Sequence, residues 1–144
     1  MKLNLLKAKP LLLCAITFLM IFAISSCAQK IRFNNSSVVP AAEGTVKIKK
    51  DNNKNYSIDI DVIHLADPKR LSPSKELYVV WMETDNTMAK NIGLIKSSSS
   101  ILSSTLRGAI NTVSSVKPTK IFITAEDNAD VQSPGEVILT TSSF

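Results

Sequence analysis

The side chains of this sequence that could support acid–base chemistry include two closely spaced aspartates. Asp59 and Asp61 are separated by one residue, so on a strand they share one face at about 6.6–6.8 Å, near the carboxylate separation of inverting glycosidases. Any two residues at this spacing have that separation, and Lys47 is predicted to face the pair from a neighbouring strand. We therefore interpret the two carboxylates as part of a solvent-exposed strand face.

His64 is the single histidine, which limits both nucleophilic catalysis and metal binding. A catalytic serine needs a base and an orienting acid. The Ser97–Ser100 run lacks the glycine-flanked nucleophile pattern, so it predicts a flexible turn. Copper accepts imidazole and thioether ligands, so His64, Met82 and Met88 leave a copper carrier as an alternative, although a blue-copper centre would also require a cysteine and a second histidine. The sequence predicts a protein that is not an enzyme and binds no cofactor or metal.

The first 26 residues have the composition of an export signal. Three lysines precede an apolar run over Leu11–Ile24, and the first acidic residue is Glu43. This run is shorter than the ~20 residues that cross a bilayer. A basic start before a short apolar run is typical of a secretory signal peptide. We expect residues 1–26 to be removed from the mature protein.

Cys27 ends the sequence Ile24-Ser25-Ser26-Cys27, which matches the lipobox of bacterial lipoproteins. Small side chains suit the peptidase, and the thiol accepts a diacylglyceryl group. Cys14 lies inside the apolar run without small residues before it. The sequence predicts cleavage between Ser26 and Cys27 and lipid attachment at Cys27, with an ordinary signal peptide or an uncleaved anchor as the alternatives. Because Ala28 follows the cysteine, we expect the outer membrane, with the protein facing the periplasm.

Removal of the signal changes the charge and the thiols of the chain. The net charge of +5 falls to +2, because three lysines and no acidic residue are lost. So small a charge does not indicate a nucleic-acid partner. With Cys14 removed and Cys27 acylated, no thiol remains for a disulfide, a zinc cluster or a nucleophile. Stability must then come from the packing of one domain of ordinary size.

The mature chain begins with a polar segment and continues with strand-like alternation. Residues 27–42 predict a flexible lipidated tether, with an edge strand formed by Ile31, Phe33, Val38 and Val39 as the alternative. The domain is predicted to span residues 43–144. Its first hairpin pairs Lys50 with Tyr56, a register that sets apolar residues opposite one another on one face and Lys47 opposite an aspartate on the other.

A second set of strands follows a proline-containing loop. Both faces of Leu77–Met82 are apolar, which predicts a central strand covered on both sides. Tyr78 and Trp81 differ by three positions and should point to opposite faces, and we expect Trp81 in the core. For residues 108–116 the sequence does not decide whether they form a helical turn. The other candidate strands cover residues 91–96, 101–106, 120–125 and 137–141.

Seven short strands in about 100 residues predict an all-β, antiparallel, two-sheet sandwich of the immunoglobulin-like type. The segment 43–141 also carries short motifs in a particular order: Gly44-Thr45-Val46, a proline loop over 65–73, Tyr78-Val79-Val80-Trp81, Ile92-Gly93, Thr124-Ala125-Glu126 and Pro134-Gly135-Glu136-Val137. In this order and spacing, the segment resembles the extracytoplasmic C-terminal domain of anti-sigma-K factors. The resemblance implies the fold and a location outside the cytoplasmic membrane. Its structural motif residues here are Tyr78, Trp81, Gly93, Thr124, Glu126, Pro134 and Gly135.

The chain differs from those regulators because it shows neither their cytoplasmic sigma-binding domain nor their transmembrane helix. A domain behind a lipobox cannot reach a cytoplasmic sigma factor. The sequence therefore predicts a non-catalytic, membrane-anchored binding or sensing module of the cell envelope. We expect it to contact an envelope protein, or a small ligand, through loops such as Ala66–Lys75 or Asp85–Lys90. A structural or accessory lipoprotein without a regulatory role is the alternative.

Overall fold

The computed structural model describes residues 28–85, 87–99 and 106–144, so the export signal, the cleavage site and Cys27 lie outside the described residues. The described residues form two antiparallel sheets, with a single 3-10 turn at Pro68–Arg70. The predicted all-β, two-sheet sandwich is confirmed, with nine described strands where the sequence suggested about seven. They are β1 (Gln29–Arg32), β2 (Glu43–Lys50), β3 (Tyr56–Leu65), β4 (Leu77–Thr84), β5 (Thr87–Leu94), β6 (Lys96–Ser99), β7 (Leu106–Ser114), β8 (Lys120–Glu126) and β9 (Glu136–Thr140).

The strand order is that of an immunoglobulin fold. The five-stranded sheet has the order β1-β2-β3-β7-β6, and the four-stranded sheet has the order β5-β4-β8-β9. If β2 to β9 are taken as strands A, B, C, C′, D, E, F and G, the sheets become A-B-E-D and C′-C-F-G. Strand β1 is an addition beside the first of these strands.

The β2–β3 hairpin has the predicted register. Lys50 pairs with Tyr56, and Lys47 lies opposite Asp59 on the outer face. The ion pair of Lys47 is nevertheless diagonal, because its Nζ lies 4.0 Å from the carboxylate of Asp61. In the turn, the carboxylate of Asp51 accepts two backbone N–H groups at 2.8 Å. Such a local side-chain acceptor fixes the turn and with it the register.

Strand β4 is covered on both faces, as predicted, but its aromatic residues are placed differently. Tyr78 points into the main core between the sheets. Trp81, expected in that core, lies on the outer face of the four-stranded sheet in a second buried cluster with Val79 and Phe122. The prediction of Trp81 in the main core was therefore wrong. Five consecutive buried residues give no alternation from which to assign the inner face.

Residues 29–42, which the sequence assigns to a tether, belong to the sandwich. Strand β1 pairs with β2, and Phe33 forms a bridge with Thr141, so that this segment closes the gap between the two sheets. Val39 and Ala42 are buried. The edge-strand alternative is therefore confirmed in part: Ile31 lies in β1 and Phe33 in its bridge, whereas Val38 and Val39 lie in the loop before β2. The polar residues beside Ile31 and Phe33, namely Lys30, Arg32 and Asn34, favoured the tether prediction, although an edge strand needs only one apolar face.

The serine-rich region is also extended. The predicted turn at Ser97–Ser100 is replaced by β6 over residues 96–99, while residues 100–105 of the predicted turn and strand lie outside the described part. The segment 108–116, whose structure the sequence leaves undecided, contains most of β7. This strand pairs with β3, where Ile110 lies opposite Ile60. Pairing with a central strand satisfies the backbone groups that a helical turn would otherwise have to satisfy locally.

Strands β5 and β6 are nearly continuous, and the chain changes sheet between them. Gly93 adopts a φ of 135° at a register shift in the β4–β5 pairing, and the Asn91 side chain accepts the Gly93 N–H at 3.0 Å. Ile95, the one residue between β5 and β6, is buried, and its N–H donates to Tyr78 O. This conformation explains the glycine of the Ile92-Gly93 motif, because side chains rarely adopt such a φ.

The antiparallel pairings give the sandwich two ends. One end holds the start of β1, the β2–β3 turn (51–55), the β4–β5 turn and the β7–β8 loop (115–119); we call it the N-terminal pole. The other holds the β3–β4 loop (66–76) and the base of the β8–β9 loop (127–135); we call it the distal pole. The described chain therefore begins at one pole and presents the β3–β4 and β8–β9 loops at the other.

Candidate functional site

The β3–β4 loop of the distal pole is held in one conformation by its own hydrogen bonds. The Asp67 carboxylate accepts the Lys69 N–H at 3.0 Å and caps the 3-10 turn. The Tyr78 hydroxyl donates to Ala66 O at 3.0 Å from the core below. Burial raises the pKa of Tyr78 to about 12, with a smaller contribution from the negative charge of Asp67. The phenol therefore stays protonated as a donor under physiological conditions.

The same loop is joined to the β8–β9 loop. Lys75 Nζ lies 2.8 Å from the Asp127 carboxylate, and this hydrogen bond is the main cause that raises the Lys75 pKa. The Glu76 N–H donates to Glu126 O at 3.0 Å. The Lys69 ammonium pairs with the Glu76 carboxylate at 3.1 Å. The two loops of the distal pole therefore form one connected, largely polar surface.

Four of the motif residues converge in one hydrogen-bonded chain beneath the β8–β9 loop. Trp81 Nε1 donates to Thr124 Oγ1 at 2.7 Å, and the Thr124 hydroxyl donates to Glu126 Oε1 at 2.6 Å. The Gly135 N–H donates to the same carboxyl oxygen at 2.7 Å. Glu126 is 5% exposed. These four residues thus fix the position at which the β8–β9 loop enters β9, and their role is structural.

The loop also packs over the outer face of the four-stranded sheet. A Cβ at Gly135 would lie 2.9 Å from the Glu126 carboxyl, which explains the glycine at that position. Pro134 precedes it in an exposed position. Towards the loop tip, the Asn91 side chain donates to Ala129 O at 3.0 Å. The loop is therefore tied at its base and near its tip, which preorganises it.

The residues considered for catalysis or copper binding are not brought together. Asp59 and Asp61 lie on the outer face of the five-stranded sheet, where the Asn111 side chain donates to Asp59. His64 is exposed at the end of β3 with a φ of 58°. Met82 is buried in the main core, whereas Met88 is 92% exposed. Among the described residues, no group of three or more His, Cys, Asp or Glu side chains could hold a metal ion.

An open groove of about 980 Å³ runs beside β5 towards the N-terminal pole. Exposed apolar side chains line it, namely Met88, Val113 and Val116, while Asp130 and Gln132 from the β8–β9 loop supply a polar wall. Sequence reasoning missed the two valines. Val113 alternates with polar neighbours in β7, a signal that was hidden because residues 108–116 were left open between helix and strand.

Comparisons with protein-family models, with curated proteins and with solved structures give no match to this chain. None of the described segments is a helix long and apolar enough to cross a membrane. The resemblance to the extracytoplasmic domain of anti-sigma-K factors therefore stays a prediction from the sequence motifs. The hydrogen-bonded chain from Trp81 to Gly135 gives those motifs a physical role independent of that resemblance.

Proposed function

We propose that this chain is a non-catalytic binding module of the bacterial cell envelope, anchored by a lipid on Cys27, which presents its distal pole to a protein partner. The observation that supports it is that the described part of the chain starts at one end of the sandwich, whereas the β3–β4 and β8–β9 loops lie at the other. Ala28 is bonded to Cys27 and precedes β1 directly. A lipid on Cys27 is thus one residue, about 3.8 Å, from the described domain.

The two loops that the sequence suggests for partner binding lie at opposite poles. The Asp85–Lys90 segment lies at the N-terminal pole, on the side of the proposed anchor. The Ala66–Lys75 loop lies at the distal pole, together with the base of the β8–β9 loop. By analogy, the loops between strands B and C and between F and G bind antigen in immunoglobulin variable domains.

The surface chemistry of the distal pole favours a protein over an apolar ligand. Exposed groups of both signs, such as Asp67, Arg70 and Asp127, stand on loops that are already ordered. An ordered surface loses little conformational entropy on binding. Charges of both signs can give specificity through complementary partner charges. Because Ala28 follows the proposed lipidated cysteine, the proposal includes the outer membrane as the location, with this surface facing the periplasm. Any regulatory partner would then be an envelope protein and not a sigma factor.

In-cell photo-crosslinking tests the proposal. A photoreactive amino acid is placed in the full-length chain at Ser72 or Asn128 on the distal pole, and at Ala109 on the outer face of β7 as a control. We expect the same envelope protein to be crosslinked from both distal positions and not from Ala109. The added substitution Arg70→Glu should lower the yield.

Two results would contradict the proposal. One is the absence of a specific product from both distal positions. The other is an equally abundant product from Ala109, which would indicate contact without a defined site. Either would favour the alternative of an accessory lipoprotein without a binding role.

A further inference from the structure

Lysines are concentrated at the N-terminal pole. They come from strands and loops that are distant in sequence, and all of them are exposed. Lys54 stands at the tip of the β2–β3 turn with a φ of 66°, and Lys50 lies over the Tyr56 ring at 5.6 Å. The lysines of this pole are Lys30, Lys49, Lys50, Lys54 and Lys117.

Few acidic groups oppose these lysines at the same pole. Asp51 uses its carboxylate oxygens to hold the turn, and Glu83 pairs with Lys120 at 3.4 Å. Asp85 stands in the β4–β5 turn, and Asp130 from the β8–β9 loop lines the groove that holds Met88 and Val116. Most other acidic residues lie on the outer face of the five-stranded sheet or at the distal pole. The N-terminal pole therefore carries an excess of positive charge although the domain as a whole is nearly neutral.

Exposed apolar side chains accompany the lysines. Met88 follows the β4–β5 turn and is 92% exposed. Val113 and Val116, at the end of β7 and in the loop after it, are 62% and 54% exposed. Lys117 is the next residue in the chain. Apolar side chains beside lysines are the combination that binds the interface of an anionic membrane.

We propose that the N-terminal pole docks on the surface of the membrane that holds the anchor, with its lysines on anionic headgroups and its exposed apolar side chains at the interface. The inference rests on the proposed function, because lipid on Cys27 brings this pole to the bilayer. Each lysine near an anionic surface strengthens binding about fivefold. This contribution decreases with distance from the membrane over a Debye length of about 8 Å. The described chain begins beside these lysines, so an anchor on Cys27 would hold them close to the headgroups.

Docking would hold the domain upright on the membrane. An acylated cysteine alone fixes one point and leaves the domain free to tilt. Contacts spread from the β2–β3 turn to the β7–β8 loop define a plane, so the opposite pole points away from the lipid. The membrane surface thereby orients the Ala66–Lys75 loop towards partners.

Fluorescence quenching in vesicles tests this orientation. The full-length chain is expressed, and its processed, lipidated product is reconstituted into vesicles of phosphatidylethanolamine and phosphatidylglycerol with a headgroup-attached quencher. A fluorophore is placed on Lys117→Cys, and on Lys69→Cys at the distal pole as the matched control. We expect strong quenching at position 117 and little at 69. The double substitution Lys49→Glu and Lys54→Glu should reduce the docked-to-undocked ratio by about 25-fold or more.

The outcomes separate the inference from the proposed function. Equal quenching at the two positions, in protein that floats with the vesicles, would overturn docking and leave the anchor intact. Quenching at 117 that does not change when phosphatidylglycerol is replaced by phosphatidylcholine would likewise overturn it. Protein that fails to float would instead contradict lipid anchoring itself, and docking would fall with it.

Discussion

At the residue scale, the carboxyl of Glu126 decides the shape of the β8–β9 loop. It accepts the Thr124 hydroxyl and the Gly135 N–H on one oxygen, and the Trp81 indole completes the chain through Thr124. Within the described residues, no buried side-chain N or O atom lacks a hydrogen-bond partner. Removal of the central acceptor would leave the buried Thr124 hydroxyl and the Gly135 N–H without their acceptor.

We predict that Glu126→Ala lowers the free energy of unfolding by about 1–3 kcal/mol, because a buried donor without an acceptor costs that amount. Urea unfolding measures the change. Glu136→Ala, on an exposed neighbour at the start of β9, is the control and should stay within about 0.5 kcal/mol of the parent. Equal effects of the two substitutions would show that the hydrogen-bonded chain contributes nothing specific.

Tyr78 makes stability depend on alkaline pH. Its pKa is raised to about 12 in the folded protein from an ordinary value of 10.0. The unfolded chain therefore loses this proton first, and the contribution of the neutral phenol is lost as pH rises above about 10. We expect stability to fall by at most about 1.4 kcal/mol for each pH unit between about 10 and 12 from this group.

The Tyr78→Phe variant isolates that contribution. It should be less stable than the parent near neutral pH, because the hydrogen bond to Ala66 O is lost. Above about pH 10 the difference between the two proteins should shrink, as urea unfolding across the pH range would show. A difference that stays constant would contradict the raised pKa.

The sequence identified Trp81, Thr124, Glu126 and Gly135 as members of an ordered series of motifs. It did not reveal that they are hydrogen-bonded to one another. The indole and the threonine hydroxyl are 43 positions apart in the chain, and only the β4–β8 pairing brings them together. Linear order therefore located the residues, while their common role depends on long-range strand pairing.

At the element scale, the sheet-changing corner between β5 and β6 depends on Gly93. Its φ of 135° is unfavourable for residues with a Cβ. A Cβ there would also lie 2.6 Å from Ile110 Cδ1. The corner thus combines a backbone requirement with a steric one.

We predict that Gly93→Ala destabilises the domain by at least about 1–3 kcal/mol, measured by thermal or urea unfolding. Ile110→Val removes the clashing Cδ1 atom and serves as the partner in a double-mutant cycle. The double variant should be less destabilised than the sum of the single changes, because only backbone strain remains. Additive effects would contradict the close approach of these two residues.

The sequence predicted well those elements in which the apolar face and the polar face of a strand pair indicate the same register. The β2–β3 hairpin had alternating residues on both strands and a turn of Asp and Asn between them, which fixed the register of Lys50 and Tyr56. Strand β1 and the serine-rich β6 lie at sheet edges. Edge strands have one neighbour and a weak apolar pattern, so sequence reasoning assigned them to a tether and a turn.

At the scale of the whole molecule, the two poles of the sandwich differ in their surface chemistry. The described chain starts at the lysine-rich N-terminal pole, and the polar loops stand at the other end. Neither pole can be recognised from the sequence, since each is assembled from turns and loops far apart in the chain. Composition gave only the net charge, while the separation of positive and apolar groups from the distal loops follows from the strand order.

The proposed orientation of these poles has meaning only if a lipid is attached at Cys27, and metabolic labelling with radioactive palmitate tests this most directly. The parent protein and the Cys14→Ser control should both incorporate the label and fractionate with membranes. The Cys27→Ser variant should incorporate none and remain unprocessed, because the thiol that accepts the diacylglyceryl group is gone. Label that is absent from the parent, or retained by Cys27→Ser, would contradict the proposed anchor.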